Sequence, residues 1–247
     1  TADGDIHLRE EDGITVEQII AENGNVDLYT LGDTVLRRAE ARGPDGTVLI
    51  GSGGSLLGDD PDLIGSLLKL YAFGGRLGGE TVGTTMRADT APGAEVWLLS
   101  RGNLDYTERA GNLRLALGAS LDGDASIRVA AGSMTAGVLG ARGTLALEAV
   151  GTLDVNLIGR TAIDIADEAG LQLVDSVPTR YGIYDIPSPS RLVMRARGEG
   201  SLVRLGLGNV RDLAELYGDT LDANLYDVTP GNGLRLRLAD NGGAGFA

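Results

Sequence analysis

Apolar residues recur at every second position over most of the chain, in short runs that follow a glycine or an Asn/Asp turn. In the first run Gly4 precedes Ile6 and Leu8. A period of two places successive side chains on opposite faces of a strand, so each run predicts one short β-strand. Similar runs start at Gly13, Asn23-Gly24, Asp45-Gly46, Gly111, Ala125, Gly143, Gly151, Leu192, Leu202 and Leu234. The pattern therefore predicts an all-β fold.

The spacing of the turns selects among all-β architectures. Gly4-Asp5-Ile6-His7-Leu8 recurs as Gly24-Asn25-Val26-Asp27-Leu28, and about twenty residues make one coil of a parallel β-helix. The inward positions hold Leu, Ile and Val, whereas sandwiches prefer aromatic anchors. We therefore expect residues 1–247 to form a single β-solenoid segment of about ten coils, on the order of 50 Å long. The alternative is a β-sandwich with Asn-Gly hairpins at Asn23-Gly24 and Asn232-Gly233.

Three segments interrupt the alternation. Asp59-Asp60-Pro61-Asp62 precedes apolar residues at a spacing of three to four, which is a helix-start signal, so an excursion near 59–75 is predicted as a short helix or a loop. Val210–Tyr217 is interpreted as a second short helix or loop of the same kind. The segment near 177–190 is too rich in proline for a core strand and predicts an excursion from the rod.

Composition narrows the functional classes. The 247 residues carry a formal charge of −14 and include no cysteine, so neither disulfides nor thiolate zinc sites form. An acidic chain repels phosphate, and its single lysine, Lys69, does not build a cationic stripe. We therefore expect no binding to nucleic acid or to anionic membrane surfaces. No apolar run approaches the roughly 20 residues that cross a bilayer, so no membrane insertion is expected.

The two ends of the sequence also carry a prediction. Thr1-Ala2-Asp3-Gly4 lacks an initiator methionine and a signal-peptide core, which indicates a processed or excised chain. Neither end shows a capping element, and uncapped solenoids expose strand edges. We expect the polypeptide to continue beyond both ends, or to associate there with copies of itself.

Catalytic motifs are scarce. The single histidine, His7, lies between Ile6 and Leu8 and should point away from the core, which disfavours a Ser-His-Asp triad. Gly118-Ala119-Ser120-Leu121-Asp122 fails as a nucleophile elbow at its last position. Lys69 follows a leucine instead of ending a phosphate-binding loop. The sequence therefore predicts no catalytic residues, no bound cofactor and no enzymatic activity.

Clustered carboxylates suggest one metal site. Asp59, Asp60 and Asp62 are predicted as a weak calcium site, because calcium prefers carboxylate oxygens. The Gly-Gly-x-Gly-x-Asp nonapeptide of calcium-loaded rolls is absent from the sequence, so the fold is not expected to require calcium.

A second set of carboxylates supports an enzymatic alternative. Asp122 and Asp124, with an arginine such as Arg128 or Arg101, are the arrangement that a β-helical polysaccharide lyase or hydrolase would use. The alternative without a catalytic role is that the same aspartates lie in solvent-exposed turns.

Aromatic side chains are few, and sugar rings stack on flat apolar surfaces. Trp97, Tyr106, Tyr181 and Tyr184 are the candidates for such a platform. Of these, Tyr181, Tyr184 and Trp97 are predicted to contact a partner.

The N-terminal repeats resemble a known family. Three segments carry the resemblance: Gly4-Asp5-Ile6-His7-Leu8-Arg9-Glu10-Glu11-Asp12-Gly13-Ile14-Thr15-Val16, Ile19-Ile20-Ala21-Glu22-Asn23-Gly24-Asn25-Val26-Asp27-Leu28 and Gly51-Ser52-Gly53-Gly54-Ser55. They are similar to repeats of filamentous-haemagglutinin-type adhesins. These are large bacterial surface or secreted proteins, often exported by two-partner secretion. The resemblance covers about the first 55 residues. It implies a right-handed parallel β-helix, an extracellular or outer-surface location, and no catalytic residues.

The predicted function combines these points. We expect a non-enzymatic structural or adhesive segment of a large extracellular bacterial protein that mediates cell-surface attachment. Its partner would be a receptor or glycan on a host or neighbouring cell. A self-assembling filament or sheath subunit, associating end to end or laterally, is the first alternative, and a β-helical polysaccharide lyase or hydrolase is the second.

Overall fold

The protein forms a parallel β-solenoid of ten coils in a computed structural model that describes residues 1–164, 183–228 and 233–239. Each coil supplies strands to different sheets, and each strand pairs in parallel with the strand of the next coil. This confirms the predicted β-helix, and the parallel pairing rules out the β-sandwich alternative. The described residues contain no helix, and so none that is long and apolar enough to cross a membrane.

Two sheets run the length of the described solenoid. Sheet 1 has ten strands, in spatial order β1 (Ile6–Glu10), β4 (Val26–Thr30), β7 (Thr47–Ser52), β10 (Leu67–Ala72), β13 (Glu95–Ser100), β15 (Leu113–Ser120), β17 (Met134–Ala141), β19 (Leu153–Ile158), β23 (Leu202–Val210) and β25 (Thr220–Asp227). Sheet 2 contains β2 (Ile14–Val16), β5 (Thr34–Leu36), β8 (Leu56–Leu57), β11 (Leu77–Gly78), β12 (Met86–Ala88), β14 (Leu104–Glu108), β16 (Ala125–Val129), β18 (Thr144–Ala149), β22 (Arg191–Ala196), β24 (Leu213–Tyr217) and β26 (Arg235–Ala239).

The first coils have a third side. Sheet 3 consists of β3 (Ile19–Ala21), β6 (Arg38–Ala41) and β9 (Asp62–Ile64). The remaining strands, β20 (Thr161–Asp164) and β21 (Ile183–Ile186), form an antiparallel hairpin outside the three sheets.

The core is a set of apolar columns along the rod. Ile6 pairs with Val26, which pairs with Val48, and Val48 pairs with Leu68. Apart from Ile6 in the first coil, these side chains are fully buried. Burying such a side chain contributes about 1.5–3 kcal/mol. Stacking residues of equal size at each step leaves few voids, which is why the repeat keeps Leu, Ile and Val at its inward positions.

Side chains in the turns bond each coil to the next. The Asp5 carboxylate accepts the backbone N–H of Asn25 at 2.7 Å, and the Asn25 side-chain oxygen accepts the N–H of Thr47 at 2.9 Å. Further along, the Asp124 carboxylate accepts the N–H of Thr144 at 2.6 Å. An Asn or Asp at this corner therefore satisfies a backbone donor that the sheets leave over. The regular Asn/Asp turns of the sequence have this structural cause.

Two predicted helices are wrong. After Asp59 the chain forms β9 and β10, and the inward side chains Leu68 and Leu70 stack on Val48 and Ile50 of the preceding coil. The segment Val210–Tyr217 likewise contains β24. The helix signals are local, whereas the coil underneath offers each apolar side chain a column to join, and this packing outweighs propensity.

In the described part of the predicted excursion near 177–190, β21 pairs antiparallel with β20 outside the three sheets. The hairpin of β20 and β21 packs on the outer face of sheet 1, where Ile186 is buried among Tyr71, Phe73 and Leu99. The Tyr184 ring stacks on the Phe73 ring with centroids 6.4 Å apart. We call this apolar group the outer cluster. Residues 177–182 of the predicted excursion, and Asn232 of the proposed hairpin, lie outside the described residues.

A glycine in the corner between sheets 1 and 2 provides a test of coil stacking. A Cβ at Gly32 would lie 2.5 Å from the backbone nitrogen of Gly13, whereas a Cβ at Gly4 would meet nothing within 4 Å. We expect Gly32→Ala to lower the free energy of unfolding by about 1–3 kcal/mol, because backbone must shift. Gly4→Ala is the matched control and should change it by less than about 0.5 kcal/mol. Equal effects in urea unfolding would contradict the close stacking of coils.

Candidate functional site

A loop that leaves the rod forms one wall of a groove on sheet 2. The strands β11 and β12 both pair with β14, and residues 79–85 between them form the loop. The Gly79 N–H donates to the Thr84 carbonyl at 3.0 Å, and the Thr84 N–H donates to the Thr81 carbonyl at 3.1 Å. These bonds close the loop while Val82 at its tip remains 84% exposed.

The groove lies between this loop and the outer face of sheet 2 and has a volume of about 660 Å³. Its lining is hydrophilic, and no aromatic side chain among the described residues contributes to it. Threonine and serine hydroxyls line it together with charged groups. The charged residues are Asp59, Asp60, Asp105, Arg87 and Arg128. The Thr85 and Thr107 hydroxyls are 3.1 Å apart and bond across adjacent coils. The groove can thus both donate and accept hydrogen bonds.

One carboxyl group of the groove has a raised pKa. Burial raises the pKa of Asp105, and the nearby Arg76 guanidinium opposes this shift. Asp105 therefore holds a proton more readily than an exposed aspartate does.

Strand register assembles a row of arginines beside the groove. Arg87 pairs with Thr107 and Thr107 with Arg128; Arg128 then pairs with Glu148 and Glu148 with Arg195. Arg87, Arg128 and Arg195 therefore occupy one outward column on alternate coils, about 10 Å apart at a strand spacing of roughly 4.8 Å.

Two glutamates lie among the arginines. Glu148 forms an ion pair with Arg128, whose Nε lies 3.0 Å from the carboxylate, and another with Arg197. Glu215 is 2% exposed and binds Arg191 Nε at 2.7 Å and Arg237 at 3.2 Å. The six residues Arg87, Arg128, Arg191, Arg195, Arg197 and Arg237 are called the arginine strip below.

The strip is rich in cations although the chain carries a net charge of −14. Its arginines outnumber the glutamates that pair with them, and the side chains of Arg128, Arg191, Arg197 and Arg237 are 47–71% exposed. Arg195 lies over the Tyr217 ring, 4.9 Å from its centroid. Arg87 forms no ion pair with any described residue. An exposed, cation-rich face of this kind suits an anionic partner.

Burial would raise the pKa of Glu215, but the bond and charge of Arg191, with smaller contributions from Tyr217 and Arg237, outweigh it and lower the pKa. The opposite holds inside the rod, where burial raises the pKa of Glu108 even though Thr90 and Tyr106 donate bonds to it. Glu215 is thus held ionised beneath the strip.

Composition did not reveal this surface. The six arginines lie on four strands or their ends, and these strands are separated along the chain by whole coils and by the hairpin insertion. The available signal was an arginine at an outward position of a strand, as in Ile127-Arg128-Val129. Only the register between coils places these positions side by side.

The three predicted calcium ligands do not converge. The Asp59 carboxylate accepts the N–H of Glu80 at 2.7 Å, and Asp60 pairs with Arg109 at 2.8 Å. Asp62 also faces Arg109, at 3.9 Å. In the part of the chain that the structure describes, no group of three or more acidic or histidine side chains is placed to hold a metal ion. Asp59 and Asp60 instead line the groove.

Two of the predicted partner-binding aromatics, Trp97 and Tyr184, lie on the other side of the rod. Trp97 packs against the outer cluster with Tyr184, and its indole N–H donates to Glu95 at 2.9 Å. Tyr181 lies outside the described residues. Tyr106, the fourth candidate platform, is 1% exposed in the core and donates its hydroxyl to Glu108 at 2.9 Å. Partner binding by Trp97 and Tyr184 stays a prediction.

The residues of the enzymatic alternative are divided among different interactions. Asp122 pairs with Arg101 at 3.1 Å, Asp124 holds the next coil, and Arg128 belongs to the arginine strip. His7 is on the outer face of sheet 1, as predicted, 3.5 Å from Asp27.

The lowered pKa of Glu215 gives the stability a defined pH dependence. Its stabilisation is complete above the usual value of 4.5 and is lost as the pH falls through the lowered pKa. We expect Glu215→Gln to reduce the free energy of unfolding at pH 7 by about 1–3 kcal/mol. The difference from wild type should shrink in acid.

Thermal unfolding between pH 3 and pH 7 measures this effect. Glu199→Gln removes the same charge from an exposed turn and is the control. A difference between Glu215→Gln and wild type that stays constant with pH would show that Glu215 is not held ionised by the arginines.

Comparison of the chain with protein-family models, with curated proteins and with solved structures found no match.

Proposed function

We propose that this chain is a structural and adhesive segment of a larger extracellular bacterial protein. The stacked coils form a stiff shaft, and the lateral surface attaches to a receptor or glycan on another cell. The observation that supports the proposal is the parallel stacking of ten coils, whose outermost strand edge has the chemistry to receive a further strand.

The backbone of β1 uses only one side for pairing. Ile6 donates its N–H to the Asn25 carbonyl, and the Glu10 carbonyl accepts the N–H of Leu31. In a parallel ladder alternate residues bond on opposite sides, so His7 and Arg9 direct their backbone groups to the open edge. No described strand pairs there.

The apolar column is also open at this end. Leu8 stacks on Leu28 and is 45% exposed, whereas Leu28 is 1% exposed. An exposed strand edge next to an exposed apolar side chain favours the addition of another strand. A further strand added at this edge would bury both.

The same edge supports the second candidate, a subunit of a self-assembling filament. In that case the strand that covers β1 comes from another copy of the chain. The two candidates agree on the chemistry of the edge and differ only in the source of the added strand.

A proline at the open edge tests the proposal. His7→Pro removes an N–H that serves no coil of this chain, so it should block strand addition and leave thermal stability nearly unchanged. His7→Ala keeps the N–H and is the control. Sedimentation velocity should show concentration-dependent association of the wild type and the alanine variant, and monomers for His7→Pro. A wild type that stays monomeric at high concentration would contradict an edge that accepts strands.

The adhesive role is measured separately. Beads coated with the chain should attach to cell layers several-fold more than albumin-coated beads do. Beads coated with heat-unfolded chain control for nonspecific stickiness. Attachment no better than with albumin would leave a shaft without adhesive function.

A further inference from the structure

We propose that the arginine strip and the adjoining groove bind an acidic polysaccharide in which uronate sugars alternate with neutral sugars. This inference rests on the proposed adhesive role and names the chemistry of the ligand. It is carried by the spacing of the arginines and by the mixed lining of the groove.

One column of the strip spaces its cations sparsely and regularly. Arg87, Arg128 and Arg195 stand on alternate coils, about 10 Å apart. A polymer lying along this column would therefore meet one of its arginines for every two coils. An alternating uronate polymer has one carboxylate for every two sugars, and its charge is spaced in the same sparse manner.

The arginines retain donors for a ligand. A guanidinium has five N–H groups, and the Arg128 bond to Glu148 engages Nε. Arg87 forms no ion pair with any described residue and borders the groove. Arginine binds carboxylates through two parallel bonds, which suits it to uronates better than lysine.

The groove provides for the neutral sugars. Its volume of about 660 Å³ lies within the range of roughly 300–1,000 Å³ that is usual for ligand sites. The carboxylates of Asp59, Asp60 and Asp105 can accept sugar hydroxyls, and the hydroxyls of Thr85 and Thr107 can donate or accept. A hydroxyl-rich ligand can satisfy both kinds of group.

The same features disfavour nucleic acid. Each DNA strand carries a phosphate about every 3.4 Å, which is far denser than the arginines. The groove carboxylates would repel these phosphates. No aromatic side chain among the described residues lines the groove to stack on a base.

The experiment measures binding of fluorescent hyaluronan oligosaccharides and of unsulfated chondroitin to the 247-residue chain by anisotropy. Dextran is the neutral control and duplex DNA is the competing polyanion. We expect both uronate polymers to bind more tightly than dextran and DNA, with an affinity that falls as salt rises.

Two pairs of substitutions with equal charge locate the site. Arg128→Gln with Arg237→Gln removes two ion-paired arginines of the strip, and Glu148 and Glu215 keep Arg197 and Arg191. Arg101→Gln with Arg114→Gln is the control, since these arginines pair with Asp122 and Glu95 away from the strip. The strip variant should lose about tenfold in affinity per arginine, and the control less than about twofold. Arg87→Gln should also lose about tenfold without breaking an ion pair.

Three results would overturn the inference: no binding of either uronate polymer, DNA binding at least as tight, or equal losses in the strip and control variants. Circular dichroism confirms that each variant is folded. If uronate binding fails while coated beads still attach to cells, the adhesive role stands and the ligand assigned here is wrong. If neither occurs, both fail.

Discussion

Each coil of this solenoid bonds its backbone to the coils on either side, and this bonding determines where the side chains lie. A residue stacks directly on its register partner, so one choice of residue is repeated in columns along the rod. Apolar columns form the core. Polar columns join the turns, as where Asp5 bonds Asn25 and Asn25 bonds Thr47. Many carboxylates of this acidic chain are therefore placed by the geometry of stacking.

The same constraint explains how far the sequence could be interpreted. Alternation of apolar residues is a property of single strands, and the spacing of turns is a property of single coils, so strands, coil length and coil number were accessible. The helix predicted after Asp59 was wrong because its signal is local. Leu68 and Leu70 instead stack on Val48 and Ile50 of another coil, and this packing fixes them in a strand. In a solenoid, packing of a coil against its neighbours outweighs the local secondary-structure propensity of its residues.

The arginine strip could not be predicted from the sequence, for a related reason. Net charge averages over the chain, and the separation between Arg128 and Arg195 includes the hairpin insertion. Their proximity depends on β18 pairing with β22 across that insertion. Asp59 and Asp60 show the reverse case, because adjacency in sequence suggested a common metal ion, whereas the fold directs one to a backbone N–H and the other to Arg109. The register between coils therefore determines which side chains lie close together on the surface of this protein.

The direction of the bonds between coils has a mechanical consequence. Hydrogen bonds between coils run along the rod, so tension on the ends of the rod loads the outermost coil first, and coils open one at a time. Register partners such as Asp5 and Asn25 are 20 residues apart. A coil that opens therefore exchanges about 4.8 Å of rod for roughly 70 Å of extended chain. A rod built in this way lengthens in steps and absorbs work as its coils open.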